Sequence, residues 1–161
     1  MERIKTDVAI IGGGASGLAA AIAATETNPS ISVVIAERLD RIGRKLLATG
    51  SGRCNLSNKN LSEKAYHGSV RAMEVIRNTT SAEDFFGSLG VLCTADEQGR
   101  MYPNSNSAAT VLNALRLRIA ELGVREECGF EVKKIEKTGS GFILSSGERE
   151  IECSRVIVAA G

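Results

Sequence analysis

The sequence predicts an α/β fold with a parallel central sheet and a three-stranded antiparallel β-meander as one of its crossovers. Three features lead there. A β-branched run, a glycine turn and an alanine-rich stretch follow one another near the start of the chain. A second β-branched run comes directly after them, and the last forty residues break into short strand-like runs separated by glycine turns.

Ile4 to Ile11 is short, apolar and β-branched, and it predicts a buried strand. Ala15 to Thr27 predicts a helix, rich in alanine with Leu18 and Ile22 four apart; Asn28-Pro29 ends it because Pro29 has no N–H to donate. Ile31 to Glu37 predicts the next strand, so the first 37 residues spell a βαβ unit. From Arg38 to Asn60 periodicity fades into a loop dense in Gly, Arg and Lys, of a length that is usually functional or disordered. Ser81 with Asp84 forms a capping-box pattern before Phe85, Phe86 and Leu89, and Gly90 can end that short helix. Ser107 to Leu122 places Val111, Leu112, Leu115, Ile119 and Leu122 on one helical face, with Gly123 as the terminating residue. Phe130 to Lys137, Gly141 to Ser145 and Glu148 to Cys153 are expected to form the meander, after which Arg155 to Ala159 predicts a separate buried strand.

Composition narrows the function. The chain has 161 residues, enough for one domain with a real core, and its 20 basic against 19 acidic side chains give no broad field for a nucleic acid or a membrane surface. Val8 to Thr25 is an uncharged run of 18 residues, but its four glycines and the lack of a basic lead-in argue against a spanning helix or a leader. The expectation is therefore no targeting segment, no membrane and no nucleic acid as partner. Four cysteines with no C-x-x-C pair and a single histidine, His67, exclude the common zinc spacings and point to reduced thiols in a cytoplasm. No metal site is expected, and His67 lacks the context of a catalytic triad.

The chemistry lies in Gly12-x-Gly14-x-x-Gly17. Such spacing alone is weak, but here it leaves a predicted strand, opens a predicted helix and is followed by Glu37 at the end of the next strand. Gly12 permits the tight turn, Gly14 lets backbone N–H groups approach a pyrophosphate, and Gly17 lets the helix lie close on the sheet. The helix N-terminus adds roughly half a positive charge. Glu37 can accept from both hydroxyls of an adenosine ribose, and its charge would repel a 2′-phosphate. Together these residues predict a Rossmann-like dinucleotide site. Residues 38 to 53 carry Arg38, Arg41, Arg44, Lys45 and Arg53 against Asp40 alone, interleaved with Gly43, Gly50 and Gly52 that would let backbone approach a flat or phosphorylated ligand.

The strings Gly43-Arg-Lys-Leu-Leu-Ala-Thr-Gly-Ser-Gly-Arg-Cys-Asn55 and Gly99-Arg-Met-Tyr-Pro-Asn-Ser105, with the helix ending Glu-Leu-Gly-Val124, resemble the BaiN-like flavoproteins, also called the aminoacetone oxidase family. These are FAD-dependent oxidoreductases of the two-dinucleotide-binding superfamily, and the resemblance covers essentially the whole chain. It implies that Gly12, Gly14, Ala15, Ser16 and Gly17 hold the FAD pyrophosphate, Glu37 and Arg38 the adenosine ribose region, and Lys45, Leu46, Gly50, Gly52, Arg53, Cys54 and Asn55 the ribityl and flavin side. It implies a backbone contact from Val132 to adenine, and it sets Ala159, Ala160 and Gly161 where the superfamily has Ala-Thr-Gly, so that Ala160 lacks the usual hydroxyl.

The resemblance further implies hydride transfer through FAD, with NAD(P)H a possible reductant, a small-molecule substrate, and a longer chain of which residues 1–161 are the N-terminal part of the FAD-binding domain. Cys54 stands without a second cysteine nearby, so a small buried thiol is expected in place of a redox disulfide. No catalytic acid or base is named. An ADP- or NAD-binding module without turnover is the alternative.

Overall fold

The computed structural model describes residues 2–67 and 71–161, so Gly68 of the Tyr-His-Gly stretch lies outside the described residues. In chain order the elements are β1 (Glu2–Ile11), α1 (Ala15–Thr27), β2 (Val33–Glu37), a kinked 3-10 segment (Leu46–Gly52), β3 (Ser57–Asn58), a 3-10 turn (Glu63–Ala65), α2 (Ala72–Arg77), α3 (Ala82–Ser88), β4 (Cys93–Ala95), β5 (Arg100–Pro103), α4 (Ala108–Glu121), β6 (Arg125–Cys128), β7 (Lys134–Lys137), β8 (Phe142–Ser145) and β9 (Arg149–Val158). They divide into two compact units, Met1–Leu46 with Leu115–Gly161 and Leu47–Ala114.

The first unit is built on a six-stranded sheet of order β6-β2-β1-β9-β8-β7. β6, β2, β1 and β9 run parallel, and β8 and β7 extend the sheet in antiparallel fashion. Val8, Ala9 and Ile10 of β1 and all five residues of β2 are buried, which is why these strands read as unbroken apolar runs. On α1, the buried Gly17, Leu18, Ala21, Ile22 and Thr25 recur with helical spacing and form its packed stripe. Burying Leu18 and Ile22, both fully inaccessible, stabilises the unit by about 1.5–3 kcal/mol each. A second cluster joins Ile4, Ala9, Val34, Ala36, Phe130, Leu144, Ile151 and Cys153, with Val132 and Val156 packed on it.

Two expectations about the last forty residues are corrected. The third meander strand and the final strand, expected to be separate and the final one buried, are one element: β9 runs unbroken through Ser154, pairs with β1 from Glu2 to Ile11, and leaves Arg155 and Val158 exposed with Val156 and Ile157 half-buried. No Gly, Pro, Asn or Asp interrupts Ile151 to Val158, and the one serine there, Ser154, is accommodated in the strand. The first meander strand starts later than expected, at Lys134, because Phe130 and Gly129 instead donate to the carbonyls of Glu37, the last residue of β2, and of Leu39 beyond it. β6 is an addition; its Arg-Glu-Glu-Cys sequence is that of an edge strand, which tolerates charge on its open side.

Arg149 ties this unit together. Its guanidinium donates to Glu127 Oε2 at 2.9 Å, to the Cys128 carbonyl at 3.2 Å and to the Gly129 carbonyl at 2.9 Å, and lies 5.2 Å from the Phe130 ring centroid. Because Arg149 is partly exposed, Arg149→Ala is expected to cost only about 1 kcal/mol, a fall of a few degrees in Tm by thermal denaturation. An unchanged Tm would show that the cluster contributes nothing.

The second unit holds a three-stranded antiparallel sheet of order β3-β5-β4, with α2 and α3. Neither this sheet nor α2 is among the elements the sequence predicts. α3 forms as its cap predicts: Ser81 Oγ accepts from Asp84 N at 3.0 Å and donates to Asp84 Oδ2 at 2.6 Å. α4 begins here and ends in the first unit with a Schellman arrangement, in which Gly123 at φ +69° and Val124 donate to the Ala120 and Ile119 carbonyls. Val111, Leu112, Leu115 and Ile119 on its expected face are buried.

Candidate functional site

In the first unit the glycine elbow joins β1 to α1. Gly12 has φ +104°, and a Cβ there would come within 2.6 Å of the Ala159 carbonyl oxygen. A Cβ on Gly17 would run into the Gly12 carbonyl oxygen, with the Gly12 carbonyl carbon at 3.1 Å and Ile10 Cγ2 at 3.5 Å, so the first turn of α1 lies directly on the end of β1. Gly14 differs from both. It is the N-cap of α1 in extended conformation, and a Cβ there would meet nothing within 4 Å. No side chain caps the helix at this residue and no acidic residue occupies its first turn, so the N–H groups of Ala15, Ser16 and Gly17 face the elbow without a competing carboxylate on their own element.

Around this elbow the first unit gathers several of the expected residues. Glu37, 9% exposed, lays Oε2 on the Gly13 N–H at 2.7 Å and Oε1 on the Leu39 N–H at 2.9 Å. The Gly43 N–H donates to the Gly13 carbonyl at 2.7 Å, and a Cβ on Gly13 would meet Ile42 Cγ2 at 2.6 Å. Gly13, Leu39, Ile42 and Gly43 therefore belong to the elbow; of these the sequence points only to Gly43, as one of the glycines of the basic loop. The double glycine Gly12-Gly13 was the one available signal, since only a residue without Cβ fits against Ile42.

Ala159 donates to the Ile11 carbonyl at 2.8 Å, and Ala160 Cα lies beside Gly12, so the Ala159-Ala160-Gly161 end of β9 reaches the elbow. Val132 precedes β7, partly buried against the core cluster. Arg38, Arg41 and Lys45 are exposed, and none has a carboxylate partner among the described residues; Arg44 pairs with Asp40 at 3.5 Å. Leu46 is buried.

The remaining expected residues, Gly50 to Asn55, lie in the second unit. Gly50, Ser51 and Gly52 are consecutive left-handed residues at φ +55°, +56° and +83°, and Cys54 follows at φ +61°. A non-glycine residue in that region is strained, and such strain persists only where neighbours hold it. Here the Arg53 and Cys54 N–H groups donate to the Gly50 and Thr49 carbonyls, and the Arg53 guanidinium lies 4.3 Å from the Tyr102 ring centroid. Gly50 is confined twice, since a Cβ would also come within 2.8 Å of the Asn55 N. Cys54 is a buried free thiol whose pKa burial pushes up, against a smaller opposing effect of its hydrogen bond with Thr49. All four cysteines are free.

A strand, a bare glycine elbow and an uncapped helix, with an acidic residue from the second strand at the elbow, define a dinucleotide-binding domain of the Rossmann type. The comparisons agree. Residues 6–161 match the HI0933-like protein Rossmann domain, and the chain belongs to that family. It is 39% identical over 158 residues to the 3-dehydro-bile acid delta(4,6)-reductase of Clostridium scindens, covering 96% of this chain and 38% of that protein. It is 25% identical over 165 residues to the ribosomal RNA dihydrouridine synthase of Escherichia coli, covering 100% of this chain and 40% of that protein. Among solved structures, the Mycobacterium smegmatis Sdh1 complex in its apo form is similar with TM-score 0.66 at 18% identity, over 100% of this chain and 35% of that one. E. coli quinol fumarate reductase FrdA gives 0.65 at 15% identity, over 100% and 33%. These two likenesses concern the fold. The chain thus spans about two fifths of the length of the curated relatives it matches.

Proposed function

We propose that this chain is the FAD-binding part of a flavin-dependent oxidoreductase that transfers hydride through FAD to or from a small molecule. The observation that carries the proposal is the contrast within the elbow. A side chain at Gly12 or Gly17 would strike the protein's own backbone, whereas Gly14 faces open space of the kind a diphosphate needs. The residues fit FAD: Gly12, Gly14, Ala15, Ser16 and Gly17 would line the pyrophosphate, Glu37 and Arg38 the adenosine ribose, and the Val132 backbone the adenine. Lys45, Leu46, Gly50, Gly52, Arg53, Cys54 and Asn55 would serve the ribityl and flavin side, and Ala159, Ala160 and Gly161 would close on the elbow. Exposed Arg38, Arg41 and Lys45 support an anionic ligand.

Bound FAD would supply acceptance and return of a hydride; the chain's own residues bind and orient it. The two curated relatives named above are called a reductase and a dihydrouridine synthase, which supports a reductive direction; NAD(P)H is the reductant this reading proposes. Free thiols suit a reducing cytoplasm, and no helix among the described residues is long and apolar enough to cross a membrane.

The test is spectroscopic and thermal. The purified protein is expected to take up FAD, showing flavin absorbance, and to gain Tm with FAD and with ADP, because a ligand that binds only the folded state raises its stability. Stabilisation by ADP or NAD but not by FAD would replace the flavoprotein assignment with a nucleotide-binding module. No stabilisation by any of the three would remove the dinucleotide site altogether.

A further inference from the structure

The backbone of Gly13 is held on both sides although Gly13 is not one of the three signature glycines. Its N–H donates to Glu37 Oε2 and its carbonyl accepts from the Gly43 N–H, each at 2.7 Å. Glu37 is itself fixed from the other side, since its second oxygen accepts from the Leu39 N–H at 2.9 Å. The carboxylate thus bridges the elbow to the loop after β2, and Ile42 packs against Gly13 along the same seam. A carboxylate has about four acceptor sites. Two are engaged here, which leaves capacity for a ribose diol.

We propose that Glu37 is a positioning residue for the elbow: by holding the Gly13 N–H it fixes the backbone from which the Ala15, Ser16 and Gly17 N–H groups are aimed, before any ligand arrives. Ribose recognition and phosphate recognition are therefore coupled through one side chain. This rests on the dinucleotide assignment above. In Glu37→Gln only one oxygen remains, and the amide NH2 must face the N–H of Gly13 or of Leu39, leaving a buried donor without an acceptor. Removing a negative charge would by itself favour an anion, so weaker binding of an anion that lacks ribose separates positioning from charge.

The experiment titrates inorganic pyrophosphate and ADP into the wild-type protein and Glu37→Gln at one ionic strength, and follows the Gly13 amide by hydrogen exchange. Wild type is expected to bind both ligands; the variant should bind both roughly tenfold more weakly and exchange Gly13 faster. Weaker ADP binding with unchanged or tighter pyrophosphate binding would confine Glu37 to ribose and overturn the proposal while keeping the dinucleotide site. Wild type that binds neither ligand would overturn the dinucleotide assignment itself. Should the variant not fold, wild type decides: Gly13 N–H exchange as fast as in an open loop, without ligand, would overturn the proposal, and protection would sustain it.

Discussion

Gly14→Val is expected to fold like the wild type and to lose dinucleotide binding by about 100-fold, equivalent to about 3 kcal/mol of steric conflict with the diphosphate. The two halves of this expectation come from one observation. The residue has φ −81° and ψ −172°, an extended conformation that any residue adopts, and the space before it is open in the protein alone. As a glycine it supplies no side-chain cap to the helix that the substitution could remove, so replacing it should shift Tm by no more than a few degrees. Calorimetric titration with FAD or ADP, beside thermal denaturation of both proteins, measures the two halves separately. Unchanged affinity would mean that the diphosphate lies elsewhere.

Gly17→Ala should do the reverse. In an ordinary helix interior this change stabilises by about 1 kcal/mol, because alanine is the better helix former. Here the new methyl group would run into the Gly12 carbonyl oxygen, a backbone atom that cannot rotate away, so α1 would have to lift from β1 and lose part of the burial of Leu18 and Ile22. The expected cost is about 3 kcal/mol or more, read as a lower midpoint in denaturant without ligand. Equal or greater stability would show that the helix rides above the strand with room to spare. Two glycines three positions apart in one motif thus serve different ends, one leaving space for a ligand and the other leaving none.

The elements legible in the sequence are those whose signals are local. α1 begins and ends where its alanine-rich run and Asn28-Pro29 set it, α3 starts at its capping box, and α4 stops at Gly123 because that glycine takes the left-handed conformation. The sheet of the second unit was not legible, because β3, β4 and β5 are two to four residues long and β3 carries no apolar pattern. β6 was hidden for a related reason: its Arg-Glu-Glu-Cys run earns its place only by pairing with β2.

What the sequence by itself determined is the βαβ entry, its glycine elbow and the residue types a dinucleotide would meet there, since these depend on hydrophobic period, Cβ-free positions and caps acting within a few residues. Only the tertiary structure decided that β9 is one strand lying along the whole of β1, and that Glu37 reaches back to the Gly13 N–H while Gly43 binds the Gly13 carbonyl. Such contacts join residues far apart in the chain. Their geometry follows from how strands pair and loops pack, and no local preference of either partner records it.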